Sequence, residues 1–298
     1  KTKNIFADNL YKDIIDNSSN NSTVFNAVLQ NLVDQKFPVN DDMKEDAATI
    51  IKQIKSAYKS NYGDNYKDSL NQALTSAGYK NLSEYRQRMI KQIQYANFLL
   101  DYIDDHFDDV FNDYYQQCAP KYVSLIKISV SDTSSPTDDE TSKLNEVKEL
   151  ISNTDKSFGD IAQDYSDDST SSKKGSLGIV DSKDTSGIAN SYGKDVFNAI
   201  KALSEGQVSD VITGDNGYYF VKVTSTDKKT LKKELKKTDI DSPLLAYDDY
   251  LQYVVYNSYK INYKDKDIKK IVQEVVNKAL EERKDGCCSL YFFWILEC

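Results

Sequence analysis

The feature that most constrains this chain is a change of hydrophobic period at Pro120. Before it, apolar residues recur every three or four positions; after it, "KYVSLIKISVSD" alternates every two. The first pattern buries one stripe of a helix and the second one face of a strand, so the chain must change architecture there. In the helical part, "TVFNAVLQNLVDQKF" aligns Val24, Phe25, Val28, Leu29, Leu32 and Val33. After Pro38, Asn40 or Asp41 can cap a helix bearing Met43, Ala47, Ile50, Ile51 and Ile54. Gly78 suits the residue just past a helix end, and a long helix opens near Asn81 or Ser83. A shorter one, "DDVFNDYYQQC", must stop before Pro120, whose ring disfavours helix at the preceding residue.

Beyond the first strand, "ETSKLNEVKELISN" turns Leu144, Val147, Leu150 and Ile151 inward, and "SFGDIAQDYS" opens on a Ser157–Asp160 capping box. A polar, glycine-bearing stretch follows, then the helix "KDVFNAIKALSEGQVSDVI", expected to end before Gly206. "DNGYYFVKVTST" closes the unit as a turn feeding a strand. The order β-α-α-β-α-β predicts an α+β domain with a small antiparallel sheet flanked by helices. "KKTLKKELKK" reads as a basic, solvated helix face, and "PLLAYDDYLQYVVYNSYK" and "DKDIKKIVQEVVNKALEER" as amphipathic helices. Neither helical flank alone builds much core, so the two are expected to pack together around an insertion. The expected boundaries are 1–121, 122–225 and 226–284. The apolar tail 285–298 is read as lying outside the fold, too short to cross a bilayer and lacking a prenylation motif.

Composition removes several classes of function. With 38 basic and 47 acidic residues, the net charge of −9 disfavours nucleic acid as a partner. The single histidine, His106, excludes any multi-histidine metal centre, and its setting in "YIDDHFDDVF" suits a solvated structural role. The four cysteines show no paired spacing, so neither a disulfide framework nor a zinc ribbon is expected. No cofactor is implied. The 22 tyrosines against a single tryptophan suit amphipathic contact surfaces or an AT-rich genome equally. No apolar run reaches the ~18 residues of a membrane span, and the opening "KTKNIFADNL" fits a cytosolic or a trimmed, mature chain.

The middle unit resembles the parvulin family. "SFGDIAQDYSDDSTSSKKGSLG" is similar to the family's S-F-x-x-L-A-x-x-Y-S followed by G-G-D-L-G. "ALSEGQVSDVI" with "GYYFVKV" is similar to L-x-x-G-x-V-S-x-P-V with G-Y-H-I-I-K-V. The flanks "YGDNYKDSLNQALTSAGYKNLSEYRQRMIKQ", "DYYQQCAPKYV" and "INYKDKDIKKIVQEV" resemble the helical chaperone region of PrsA-type (SurA/PrsA-like) foldases. The resemblance implies a helical chaperone domain built from both ends of the chain, with an inserted parvulin-like peptidyl-prolyl cis-trans isomerase domain. It further implies a place on the outer face of the cell membrane, through an N-terminal lipid anchor absent from this chain. Unfolded or partly folded secreted proteins would be the partners, and a homodimer is possible.

Carried over by position, the site is altered. The Cys/Asp position falls on Asp168, two residues after Ser166. The histidine of the first strand falls on Leu125, or on Lys127 in a register two residues later, and that of the last strand on Tyr219. The proline-pocket phenylalanine aligns with Val196, beside Phe197, and Leu177 sits in the turn reduced to Lys174-Gly175-Ser176-Leu177-Gly178. A tyrosine hydroxyl donates and accepts but cannot make the two-nitrogen relay of an imidazole. The expectation is therefore a chaperone whose parvulin site is weak or inactive as an isomerase. The alternatives are a working isomerase using Asp168 and Tyr219, and a surface binding protein on the same scaffold.

Overall fold

The structure is a computed structural model and describes residues 15, 17–235 and 242–284. Four helices come first: α1 (Asn21–Lys36), α2 (Asp41–Tyr62), α3 (Tyr66–Ser76) and α4 (Leu82–Asp105). Their ends follow local chemistry. Asn40 accepts the amide of Met43 at 3.0 Å and Asn81 that of Glu84 at 2.9 Å, each satisfying a donor the helix itself leaves free. Past α3, Gly78 takes φ +85° and its amide returns to Thr75, the left-handed stop for which glycine carries no Cβ penalty.

A second run comprises α5 (Phe107–Cys118), β1 (Lys121–Ser129), α6 (Asp138–Asn153), α7 (Phe158–Tyr165), β2 (Ser176–Val180), α8 (Ile188–Tyr192), α9 (Lys194–Ala202), β3 (Ile212–Gly214), β4 (Gly217–Ser225), α10 (Lys228–Glu234) and α11 (Pro243–Ala246). Two helices end the described chain, α12 (Tyr250–Ser258) and α13 (Lys266–Lys284).

These elements form two compact units, residues 1–106 with 248–298, and residues 107–247. In the first, α13 packs on α1 and α12, and α4 on α1, α2 and α12, so helices from the two ends of the chain share one core. Phe25, 1% exposed, stacks on Tyr253 at 4.9 Å and meets Tyr256 edge-on at 5.3 Å. Arg283 and Asp248 pair at 2.5 Å with little exposure. His106 is exposed, stacked on Tyr102, with Nδ1 3.0 Å from that residue's carbonyl oxygen.

The second unit is an antiparallel sheet of order β2-β1-β4-β3 with helices on both faces. It extends past the expected limits of 122 and 225, because polar side chains stitch α5 and α11 to it. The buried Tyr114 donates to Asp181 at 3.0 Å, Tyr247 to Asp113 at 2.7 Å, and the amide of Ser182 to the Cys118 carbonyl at 2.8 Å. The strand that the expected order places before the last helix is β2, within the polar stretch after Asp168, and α9, expected to end before Gly206, stops at Ala202. There the ammonium of Lys121 donates to the carbonyls of Ile200, Lys201 and Leu203 at 3.0, 2.7 and 2.6 Å, a cation at a helix C-terminus. The apolar tail lies outside the described residues.

Candidate functional site

The register of the two central strands decides where the substituted positions stand. Leu125 faces Val221 and Lys127 faces Tyr219 across the β1–β4 pair. Leu125 and Tyr219 are therefore diagonal neighbours on one face, and Lys127, two residues on from Leu125, shares that face. Both candidate registers for the first-strand position point the same way, since they differ by one full side-chain period. Leu125 is fully buried and Tyr219 is 3% exposed, in a core completed by Val123, Val180, Val221, Ile188, Val196 and Ile200.

Asp168 is brought over this face by the loop after α7. The Lys127 amide donates to Ser166 Oγ at 3.0 Å, and the Asp167 amide to the Lys127 carbonyl at 2.8 Å. Asp167 in turn accepts the amide of Ser129 and pairs with Lys143 at 2.6 Å, which holds the loop along β1. The carboxylate of Asp168 is committed locally. Its Oδ1 accepts the amide and hydroxyl of Thr170 at 2.9 and 2.6 Å, capping a 3₁₀ turn over Ser169–Lys173. The Tyr192 hydroxyl approaches the same oxygen at 3.4 Å.

The turn after that loop holds the site against β1. Gly175 has φ +74°, and a Cβ there would lie 2.4 Å from the Leu125 carbonyl oxygen and 2.8 Å from Ala162 Cβ. Its own carbonyl accepts the Leu125 amide at 2.8 Å. Lys174 beside it adopts the left-handed region at φ +56°, where a glycine would be unstrained.

Tyr219 is engaged within its own hairpin. Its hydroxyl donates to Asn216 Oδ1 at 2.6 Å, across the β3–β4 turn. Burial first, then the negative charges of Asp168 and Asp215, raise its pKa, so the phenol keeps its proton. Its ring meets Tyr192 edge-on at 6.2 Å and lies under the Lys127 ammonium at 5.9 Å. Tyr192 is pushed up to about 12, by burial and then by Asp168.

Val196 is buried in the floor, while Phe197 and Leu177 are only partly buried against it, with the Lys201 ammonium over the Phe197 ring at 4.5 Å. The result is a partly covered sheet face, the candidate cleft, with Leu177 and Phe197 as its apolar end and Asp168, Tyr192 and Lys127 gathered around Tyr219 as its polar end. Tyr192 escaped the sequence reading because it lies on the short α8, between the polar stretch and α9, separated from α9 by Gly193 at φ +100°. Its spacing of four from Val196 was the available signal.

With this geometry in hand, the comparisons fall into place. Residues 125–225 match the rotamase family, the PPIC-type PPIase domain. The middle of this chain is thus similar to the PPIC-type PPIase domain. The foldase protein PrsA of Staphylococcus aureus (strain bovine RF122 / ET3-1) is 32% identical over 151 residues, covering 48% of this chain and 44% of that protein. PrsA of Staphylococcus epidermidis (strain ATCC 35984) is 32% identical over 141 residues, covering 45% of this chain and 41% of that protein. The match thus spans less than half the length of these curated relatives. Among solved structures, PrsA of Streptococcus pneumoniae is similar with 20% identity and a TM-score of 0.40, covering 92% of this chain and 97% of that one. PrsA of Bacillus subtilis has 22% identity and a TM-score of 0.40, covering 89% and 92%.

Proposed function

We propose that this chain is an extracytoplasmic folding factor for secreted polypeptides, and that its PPIC-type domain grips extended segments while isomerising prolines weakly or not at all. The likeness to proteins named PrsA foldases supports the first part. One observation carries the second: at the centre of the sheet, the two imidazole positions are a fully buried leucine and a tyrosine whose hydroxyl is bonded to Asn216.

Rotation about an X-Pro amide faces a barrier of about 18–20 kcal/mol. An acceleration of roughly 10³-fold needs about 4 kcal/mol of stabilisation specific to the twisted amide. Leu125 has no polar atom to contribute, and Tyr219 directs its proton away from Asp168. What remains suits binding: half-buried Leu177, Tyr192 and Phe197 offer apolar surface without directional demands.

The polar end at Asp168, Tyr192 and Lys127 motivates a second reading, a working isomerase with a substituted network. Two assays on the full chain separate the readings. The gripping protein suppresses aggregation of a client whose folding is not proline-limited and accelerates a protease-coupled proline peptide less than about 10-fold. An acceleration near 10³-fold that collapses in Asp168→Ala would establish the enzyme instead.

Among the described residues no helix is long and apolar enough to cross a membrane.

A further inference from the structure

The cleft carries one charge that the gripping reading leaves without a task. Lys127 is half-buried, directly opposite Tyr219, and its ammonium lies over that ring. Among the described residues it has no salt-bridge or hydrogen-bond acceptor for its three N–H donors. Asp168 sits in the same end of the cleft, but its Oδ1 is already taken by Thr170 and Tyr192. Asp215, which also acts on Tyr219, is exposed on the β3–β4 turn. Among the described residues no carboxylate is thus hydrogen-bonded or paired to Lys127, and the partly buried Leu177 and Phe197 pack against the same core.

We propose that Lys127 is the specificity-determining residue of this cleft, selecting peptide segments with an acidic side chain next to a proline or other apolar anchor. The proposal rests on the gripping reading. A half-buried ammonium is partly desolvated already, so a ligand carboxylate meets it at a lower cost than it would meet a fully hydrated lysine. The ring beneath holds the ammonium over the cleft and leaves its N–H groups for the ligand. Asp168 and Asp215 give the same site a penalty for acidic groups placed away from Lys127, which sharpens the requirement for one position.

The test is fluorescence anisotropy on the full chain with labelled peptides that differ at one residue, Ala-Glu-Pro-Phe, Ala-Gln-Pro-Phe and Ala-Lys-Pro-Phe. The Glu peptide is expected to bind about 3- to 10-fold tighter than the Gln peptide, with the Lys peptide weakest. That advantage shrinks as salt rises, is kept in Lys127→Arg, and collapses towards unity in Lys127→Met and Lys127→Gln. Equal binding of the Glu and Gln peptides, or an advantage that survives both neutral substitutions, overturns the selectivity while leaving the grip in place. Failure of every peptide to bind the unaltered protein overturns the grip and the selectivity together. Phe197→Ala separates the layers, because it weakens all three peptides alike if the apolar end anchors them.

Discussion

The two faces of the sheet are made by the same two central strands and both carry partly buried apolar residues at their margins, but the sealed face, as we term it, lies under the long α6 with α7 and the open face under the short α8 and α9. Ile126, Ile128 and Phe220 point to one side, where α6 and α7 bring Leu144, Val147, Phe158, Ile161 and Ala162 down onto them. Val123, Leu125, Tyr219 and Val221 point to the other, where the short α8 and α9 supply Ile188, Val196 and Ile200 but leave Leu177, Tyr192 and Phe197 half covered. A sheet buried on both faces needs apolar residues at successive positions, which is how β1 reads from Val123 to Ile126 apart from Ser124. Alternation therefore does not distinguish the two faces; the length and placement of the covering helices do.

The sharpest way to break that contrast is to remove one phenylalanine from each side. Phe158, 5% exposed on the sealed face, should cost about 3–5 kcal/mol as Phe158→Ala, because a cavity adds to the lost transfer energy. Phe197→Ala on the open face should cost about 1 kcal/mol or less, since much of its ring is already in water. Hydrogen exchange at the β1 and β4 amides reads both values within residues 107–247, whatever the helical unit does. If Phe197→Ala destabilises as much as Phe158→Ala, the second face is a closed core and the gripping reading fails with it.

Next in size is the backbone that the two faces share. Gly175→Ala forces a Cβ into the Leu125 carbonyl and Ala162 at a φ that L-residues avoid, for an expected cost of about 2–4 kcal/mol. Because Ala162 belongs to the sealed face and Leu125 to the open one, exchange protection should fall on both sides together. A loss confined to β2 would show the turn to be a detachable flap.

A smaller effect isolates the open face. Lys121 holds three carbonyls at the end of α9, and burial lowers its pKa. Lys121→Met leaves those acceptors to water and should cost about 1–2 kcal/mol, discounted for an ammonium that is only partly buried. Protection should drop in α9, which carries Val196 and Phe197, and not in α6 or α7. Equal losses in all three helices would mean that α9 is no separate lid on the cleft.

Much of this architecture was legible from residue chemistry. Pro120 and the period change located β1; Asn40, Asn81, Ser157 and Gly78 marked helix ends that the structure keeps. The positions of Leu125 and Tyr219 came from the resemblance to the parvulin family, and the strand register puts both on one face. Three things did not show. Tyr192 was hidden between the polar stretch and α9, and the strand expected before that helix had no period of its own to give its bounds. The capping of α9 by Lys121, 79 to 82 positions away from its acceptors, is a tertiary contact that no local pattern encodes. The extension of the sheet unit to residues 107–247 rested on pairs such as Tyr114 with Asp181, equally remote.

The smallest expected effect tests how the sealed face is closed. Thr137 and Glu140 form a reciprocal capping box at the start of α6, and Glu140 also accepts the Ser131 amide and hydroxyl at 2.9 and 3.1 Å. The backbone amides of Thr137, then of Ser131, favour its charged form and lower its pKa to about 2 from 4.5. A carboxyl depressed on folding contributes stability that is fully present above its unfolded pKa and is lost as protons bind the folded state. Stability from Glu140 should therefore be intact above pH 4.5 and fade as the pH falls towards 2. Glu140→Gln keeps one acceptor but not the charge, so the melting temperatures of the two proteins should differ most near neutrality and converge through that window. A gap independent of pH would mean that the carboxylate's charge adds nothing to the closure, and that α6 is held on the sheet by Leu144 and Val147 alone.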